Sequence, residues 1–388
     1  MNAQIDVAVT LINDEYAGEP AKRTLAYIQS QREQGKTIVG TYCGYAPLEV
    51  IRAMDAVPAV LCAFSNKTIE PAEAVLPANL CPLIKSSYGF IITDTCPFSA
   101  VSDAVIGETT CDGKKKMFEL IASYRPMFVM DLPQVPDQPE ARNNWTEMIK
   151  KLAGFLETTF DREILVEKVE REIKETNIKN RMMNRIFAFA ALKPPVINWS
   201  ELYELTYLAQ VARGKDFLPL LEEALGRLET RVENGFHYGK VDSPRVLITG
   251  CPVGGDANKV FGIIEESGGV IVAVDNCTGM KSFMGEIEEG TDDPFAALSR
   301  HYLELPCSCM TPNFRRLSEL DKMISWFKPD AVIDVILHAC HSYNIEAYKI
   351  MTHVKERHDL PYLKIETDYS EGDVEQIRTR VEALLESL

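Results

Sequence analysis

The chain has no surplus of basic residues. Its 41 lysines and arginines face 57 aspartates and glutamates, for a formal net charge of −16 and a pI near 5.0. Proteins that grip a phosphate backbone do so by neutralising it with Lys and Arg, so no nucleic-acid partner is expected. The compact basic run Lys114-Lys115-Lys116 reads as the solvated start of a helix. No stretch approaches the roughly 20 apolar residues of a membrane span. The amino terminus, Met1-Asn-Ala-Gln-Ile-Asp-Val7, shows neither a basic n-region nor a long apolar h-region. The expected setting is cytoplasmic, with no membrane partner. A Walker A sequence is missing, so nucleotide energy would have to come from a partner protein. Cys-x-x-Cys pairs are also missing, and Cys307-Ser-Cys309 is the single close pair, which weakens a zinc reading.

Cysteine itself is plentiful: ten in 388 residues. In a reducing cytosol, ten thiols point to metal or redox chemistry rather than to a disulfide framework. Seven of them sit at or just past the downstream end of an apolar, β-branched run: Thr37 to Cys43, Val57 to Cys62, Phe90 to Cys96, Ala104 to Cys111, Val246 to Cys251, Val270 to Cys277 and Ala331 to Cys340. Open parallel sheets bind ligands outside the carboxyl ends of their strands. Thiols gathered there would line one crevice, whose expected occupant is soft metal, above all an iron–sulfur cluster.

The periodicity changes twice along the chain. Ala21 to Gly35 reads as an amphipathic helix, after which strand-like and helical runs alternate up to Pro126–Asp131, a βαβ pattern. The proline-rich stretch 132–140 breaks it. From Asn144 to about Asn234 the chain is almost wholly helical, with apolar residues at three- and four-residue spacing over 161–186 and 217–232. A second alternating block opens after Val241-Asp-Ser-Pro244 and contains Arg245–Cys251, Val270–Cys277, Ala331–Cys340 and Tyr362–Asp368. The expected fold class is α/β: two doubly wound, Rossmann-like domains with parallel sheets, 1–143 and 241–388, and a helical insert over 144–240. Two carboxyl-end crevices would then face each other.

Thr249-Gly-Cys-Pro-Val-Gly-Gly255, with Asp275 closing the next strand, imitates a dinucleotide-binding turn. Pro252 stands where a glycine must let the backbone approach a pyrophosphate, so the fingerprint fails. Cys81, Cys96 and Cys111 fall fifteen residues apart, about a helix plus a turn, which would return the chain to one sheet edge each time. Cys81-Pro82, Cys96-Pro97 and Cys251-Pro252 stiffen the loops. The ferredoxin spacing is absent, so ligands must converge through the fold. Any one cysteine is more often a small buried apolar residue, and Cys62 and Cys277 are the best candidates for that.

Four segments carry a family resemblance: Gly40-Thr-Tyr-Cys-Gly-Tyr-Ala-Pro-Leu-Glu49, Asn79-Leu-Cys-Pro-Leu-Ile-Lys-Ser-Ser87, Val105-Ile-Gly-Glu-Thr-Thr-Cys-Asp-Gly-Lys-Lys-Lys-Met117 and Ile365-Glu-Thr-Asp368. From about Thr37 to the carboxyl terminus the chain resembles the 2-hydroxyacyl-CoA dehydratase superfamily, in its D-component or beta-subunit form. Its density of cysteines makes it more similar still to the double-cubane cluster proteins of that superfamily. The resemblance implies that Cys81, Cys111 and Cys340 hold one four-iron cubane, as in dehydratase subunits. A double-cubane [8Fe-9S] cluster needs six thiolates, the others coming from Cys43, Cys96, Cys307 and Cys309, with the choice between Cys307 and Cys309 open.

The same resemblance implies an ATP-dependent iron–sulfur activator as partner, a small-molecule substrate and a homodimer. Lys85, Ser86 and Ser87 are then candidates to support the cofactor, and Glu108 and His341 candidates for proton delivery. Ser and Glu at strand ends also cap helices, and His338, inside an apolar strand, reads as a core histidine. The leading expectation is an iron–sulfur reductase. The alternatives are a [4Fe-4S] subunit of a 2-hydroxyacyl-CoA dehydratase, a lyase, and an iron–sulfur electron carrier or assembly protein without its own substrate.

Overall fold

Runs such as Val246-Leu-Ile-Thr and Ala331-Val-Ile-Asp-Val-Ile bury every residue, which suits a parallel strand covered on both faces by helices. The computed structural model describes residues 11–12 and 15–388. Two four-stranded sheets organise it, each parallel throughout. Helix α1 (Pro20–Glu33) precedes β1 (Ile38–Thr41), and α2 (Leu48–Ala53) leads to β2 (Val57–Val60). Three short helices, α3 (Ile69–Glu73), α4 (Pro82–Ile92) and α5 (Pro97–Ala100), lead to β3 (Ala104–Glu108), and α6 (Asp112–Ile121) to β4 (Met127–Met130). The order across this sheet is β2-β1-β3-β4.

Four helices follow: α7 (Ala141–Phe160), α8 (Val166–Ala191), α9 (Trp199–Ala209) and α10 (Gly214–Glu233). The second sheet then forms from β5 (Arg245–Gly250), α11 (Lys259–Glu266), β6 (Val270–Asp275), α12 (Pro294–Leu303), α13 (Phe314–Phe327), β7 (Ala331–Leu337), α14 (His341–His358), β8 (Tyr362–Thr367) and α15 (Val374–Glu386). Its order, β6-β5-β7-β8, repeats the plan of the first. The middle helices bridge the halves, since α8 packs on α2 and α7 packs on α12. One buried apolar cluster runs through both, from Met117 and Phe118 through Phe187 to Ile248 and Ile333.

One expected strand is a helix. Phe90-Ile-Ile belongs to the last turn of α4, and Thr93 to Cys96 form the turn after it. A short apolar run bounded by turns has the same hydropathy in a buried helix as in a strand. Cys81-Pro82 decides between them, because proline at the first helical position needs no amide and has its φ already set. Cys96 therefore does not close a strand.

Candidate metal centre

Strand order reverses between β1 and β3 in one sheet and between β5 and β7 in the other. Such switch points open a crevice at the carboxyl ends of the strands. Cys43 follows β1, Cys111 follows β3, Cys251 follows β5 and Cys340 follows β7. A crevice of about 1340 Å³ lies there, lined by eight cysteines: Cys43, Cys81, Cys111, Cys251, Cys277, Cys307, Cys309 and Cys340. None of the ten cysteines is in a disulfide.

Helix starts aim several of these sulfurs. Cys81 is the N-cap of α4, Cys111 of α6 and Cys340 of α14. Cys111 Sγ accepts the Lys114 amide at 3.4 Å. Backbone donors and the positive end of a helix favour the thiolate, which is the form that binds metal, but at Cys81 the Cys340 hydrogen bond and burial, and at Cys111 burial, outweigh them and push both thiols up. Cys340 follows Ala339, whose φ of 56° is rare for a residue with a Cβ. Hydrogen bonds from Cys251 and then Cys81 hold the Cys340 thiol far below its ordinary pKa. In the same way Cys309 holds Cys307 below its own.

Two buried lysines supply positive charge. Lys114 Nζ lies 2.7 Å from Cys43 Sγ and 3.9 Å from Cys62 Sγ. Burial pushes its pKa down, but charge attraction to the sulfurs of Cys43 and Cys62 outweighs that, and it holds its proton. The reading of the basic run as a solvated helix start is thus corrected at Lys114, which is 6% exposed. Lys115 and Lys116 do face solvent, and only the third position after the N-cap Cys111 turns back toward the sulfurs. On the opposite wall Lys281 is buried. Its Nζ has no hydrogen-bond partner and stands 3.6 Å from the Asp275 carboxylate.

The remaining sequence candidates divide. His341 lines the crevice and is exposed. Glu108 is fully buried and does not line it. Its carboxylate accepts the amides of Ala46 at 2.8 Å and Cys43 at 3.2 Å, pinning the loop that carries Cys43. Lys85 binds Glu73 at 2.7 Å and the Ala78 carbonyl at 2.8 Å. Ser86 and Ser87 accept the amides of Ser65 and Ala63. These three brace the segment before α4 and lie off the crevice lining. Cys96 also lies off it, capping α5 through the Ser99 amide at 3.3 Å, because its segment ends a helix rather than a strand. His338 is no core histidine: β7 stops at Leu337, and the His338 side chain is 52% exposed with Nδ1 3.8 Å from Asp368.

Cys277, expected to be inert, lines the crevice, and so does Cys251, which was absent from the expected ligands. Both carried the strand-end signal. The glycine-rich turn at Gly250 is filled rather than open. A Cβ on Gly250 (φ +118°) would stand 2.1 Å from the Val335 carbonyl oxygen, and one on Gly255 (φ +48°) 2.3 Å from that of Phe64. This turn seats the second half on the first and leaves no cradle for a pyrophosphate.

The family model for the 2-hydroxyglutaryl-CoA dehydratase D-component matches residues 43–388. The chain belongs to this family. It is 43% identical over 363 residues to the putative dehydratase subunit YjiM of Escherichia coli (strain K12), covering 93% of this chain and 94% of the relative. Two more distant dehydratase subunits match at 22% identity. One is the lactoyl-CoA dehydratase subunit beta of Anaerotignum propionicum, over 391 residues and 100% of both chains. The other is the (R)-phenyllactyl-CoA dehydratase beta subunit of Clostridium sporogenes, over 367 residues, 93% of this chain and 95% of the relative. Every cysteine on the crevice lies within the dehydratase match, Cys43 at its first residue. Among the described residues no helix is long and apolar enough to cross a membrane.

Proposed function

We propose that this dehydratase-family chain is the iron–sulfur component of a reductive enzyme, holding a double-cubane [8Fe-9S] cluster that receives electrons from a separate ATP-hydrolysing iron–sulfur activator. The observation that carries this reading is the thiol surplus. Eight cysteines line one crevice, where a single cubane of the dehydratase type would take three from the chain. The donor set fits the group: soft sulfur donors line one crevice, and two buried lysines stand among them to offset the charge that thiolates would carry on binding metal.

The candidate ligands are Cys43, Cys81, Cys111, Cys277, Cys307 and Cys340. Five of these are half-buried, with surface turned to the crevice, and Cys81 adjoins Cys340. Cys251 is 1% exposed and its sulfur accepts the Leu337 amide at 3.4 Å. Cys309 is buried against the Tyr45 hydroxyl at 3.9 Å. This assignment drops Cys96 and Cys309 from the expected set and adds Cys277.

When bound, such a cluster supplies low-potential electrons, with a poise set by charge, hydrogen bonds to sulfur and exclusion of water. Lys114 keeps a fixed positive charge beside Cys43, and Glu108 holds that cysteine's loop. His341, exposed at the start of α14, is the candidate to pass protons to a small substrate in the crevice. A homodimer in the cytoplasm completes the reading.

The relatives' names favour a second reading, a subunit of a 2-hydroxyacyl-CoA dehydratase with one [4Fe-4S] cluster. Iron and acid-labile sulfide analysis of protein purified without oxygen separates the two. About eight irons per chain are expected, about four would install the dehydratase reading, and stoichiometric zinc would overturn both.

A further inference from the structure

Apart from the cysteine crevice, the described residues contain a second convergence of metal-binding side chains. Asp321 on α13 meets His353 and His358 on α14, and one donor atom from each lies within 4.8 Å of the other two. The two imidazoles present their Nε2 atoms to the same carboxylate oxygen, Oδ1, each at 2.6 Å. Their rings stand 5.6 Å apart and cross at 65°. The second oxygen, Oδ2, is held by Arg357 Nε at 3.2 Å.

Helix geometry does not bring these two histidines together by default. Five residues advance an α-helix by about 140°, so the rings would diverge around a regular helix. They meet because His358 ends α14, with Asp359 next to it in the left-handed conformation, and because Asp321 faces both. In a purely hydrogen-bonded cluster, one oxygen would accept from two rings while a guanidinium claims the other. A divalent ion replaces both N–H contacts using the same three donors. Arg357 then fills the role that hydrogen-bonded partners have around ligating carboxylates, fixing one oxygen so that the other points at the ion. Side-chain exposures of 15%, 18% and 25% leave room for water to complete the coordination.

We propose that Asp321, His353 and His358 form, at the rim of the crevice and without any cysteine, a binding site for a divalent transition ion of the zinc class that clamps α13 to α14. Two imidazoles, one monodentate carboxylate and water make a tetrahedral zinc set. The clamp has a bearing on the crevice, because α14 starts immediately after Cys340 and His353 lies on the crevice rim.

Free thiols would outcompete this site, so the test uses iron-loaded protein purified without oxygen, stripped of loose metal and dialysed against Zn²⁺. Zinc-edge X-ray absorption reads the zinc shell without interference from iron. The expected result is one zinc per chain with nitrogen and oxygen neighbours and no sulfur, together with a higher thermal midpoint. The double variant His353→Ala/His358→Ala should bind zinc at least about a hundredfold more weakly at unchanged iron content. Arg357→Ala keeps all three ligands and should lose about tenfold, which tests the site even where the double variant folds poorly. A sulfur shell, no saturable binding, or undiminished zinc binding in Arg357→Ala and the double variant would overturn the proposal.

Discussion

The two halves share one sheet plan but hold their cysteines by different means. In the first half a single buried carboxylate, Glu108, takes two loop amides, and Lys114 reaches the sulfurs directly. In the second, a buried ionic network lies beneath the strand ends. Arg316 donates to Thr249 at 2.9 Å, pairs with Glu346, stands 3.8 Å from Asp275 and lies 4.8 Å from the Tyr343 ring centroid. Thr249 in turn donates to Asp275 at 2.8 Å. A carboxylate on amides fixes one loop. A network spread over β5, β6, α13 and α14 fixes the relative placement of whole elements, so the second half should act as the rigid wall and the first as the adjustable one.

The harshest way to break this comparison is to remove the thiol where the halves meet. Cys340 contacts both Cys81 and Cys251, so Cys340→Ala should lose most of the bound iron, whereas Cys96→Ala should keep it. Cys277→Ala should lose iron and Cys251→Ala retain it. Iron analysis and the visible absorption of the four variants measure this, and equal retention in all of them would remove the ligand assignment.

A smaller effect is expected from the cations. Lys114→Met takes away a buried positive charge next to Cys43, so the cluster proposed for the crevice should become harder to reduce and its midpoint should move to more negative potential. Lys115→Met, one residue on and half exposed, should leave the midpoint in place. Spectroelectrochemical titration of both variants is the check. Equal midpoints would mean that Lys114 serves packing alone.

How much of this was legible in the sequence follows from which signals are local. Strand-end cysteines announced the crevice because a parallel strand and its loop are read within ten residues. The helical middle announced itself by its period. Phe90–Cys96 misled because an apolar run has no period to separate helix from strand, and Cys96 follows a helix and lies off the crevice lining. Lys114 was hidden for the opposite reason: three consecutive lysines look alike until a helix start points them in three directions. Lys85, Ser86 and Ser87 sit in a motif whose resemblance said nothing of their side-chain contacts, and those contacts reach the segment before α4. The convergence of Asp321 with His353 and His358 crosses two helices and has no sequence period at all.

The seam between the halves offers a test by pH. Lys179 on α8 is buried near Arg52 and Glu49 of the first half and His301 of the second, and burial followed by Arg52 brings its pKa down from 10.5 to about 7. Between these values the unfolded chain binds the extra proton, so stability rises with pH from about 7 to about 10 as that mismatch fades. Lys179→Met removes the mismatch. It should stabilise the protein by about 2–4 kcal/mol at pH 7 and by much less near pH 10. Denaturant midpoints at the two pH values decide it, and a gain that does not shrink with pH would place the effect in packing instead of charge.

The smallest expected effect falls on Glu108, where the two roles considered for it diverge. A group that delivers protons to substrate loses turnover on amidation with little change in stability. A group that holds a loop loses stability instead. Glu108→Gln keeps the shape but retains one acceptor oxygen, and its NH₂ must face an amide that the carboxylate accepted. The mismatch should cost about 1–3 kcal/mol. The loop from Cys43 to Ala46 loosens with it, so amide exchange should quicken at Cys43 and Ala46 while the amides packed around Arg316 in the second half stay protected. Hydrogen exchange resolves the two loops separately. Loosening confined to the first half keeps the contrast between an adjustable wall and a rigid one. Loosening that spreads equally to both would show that the halves are braced as one unit through the seam at Phe64 and Gly255.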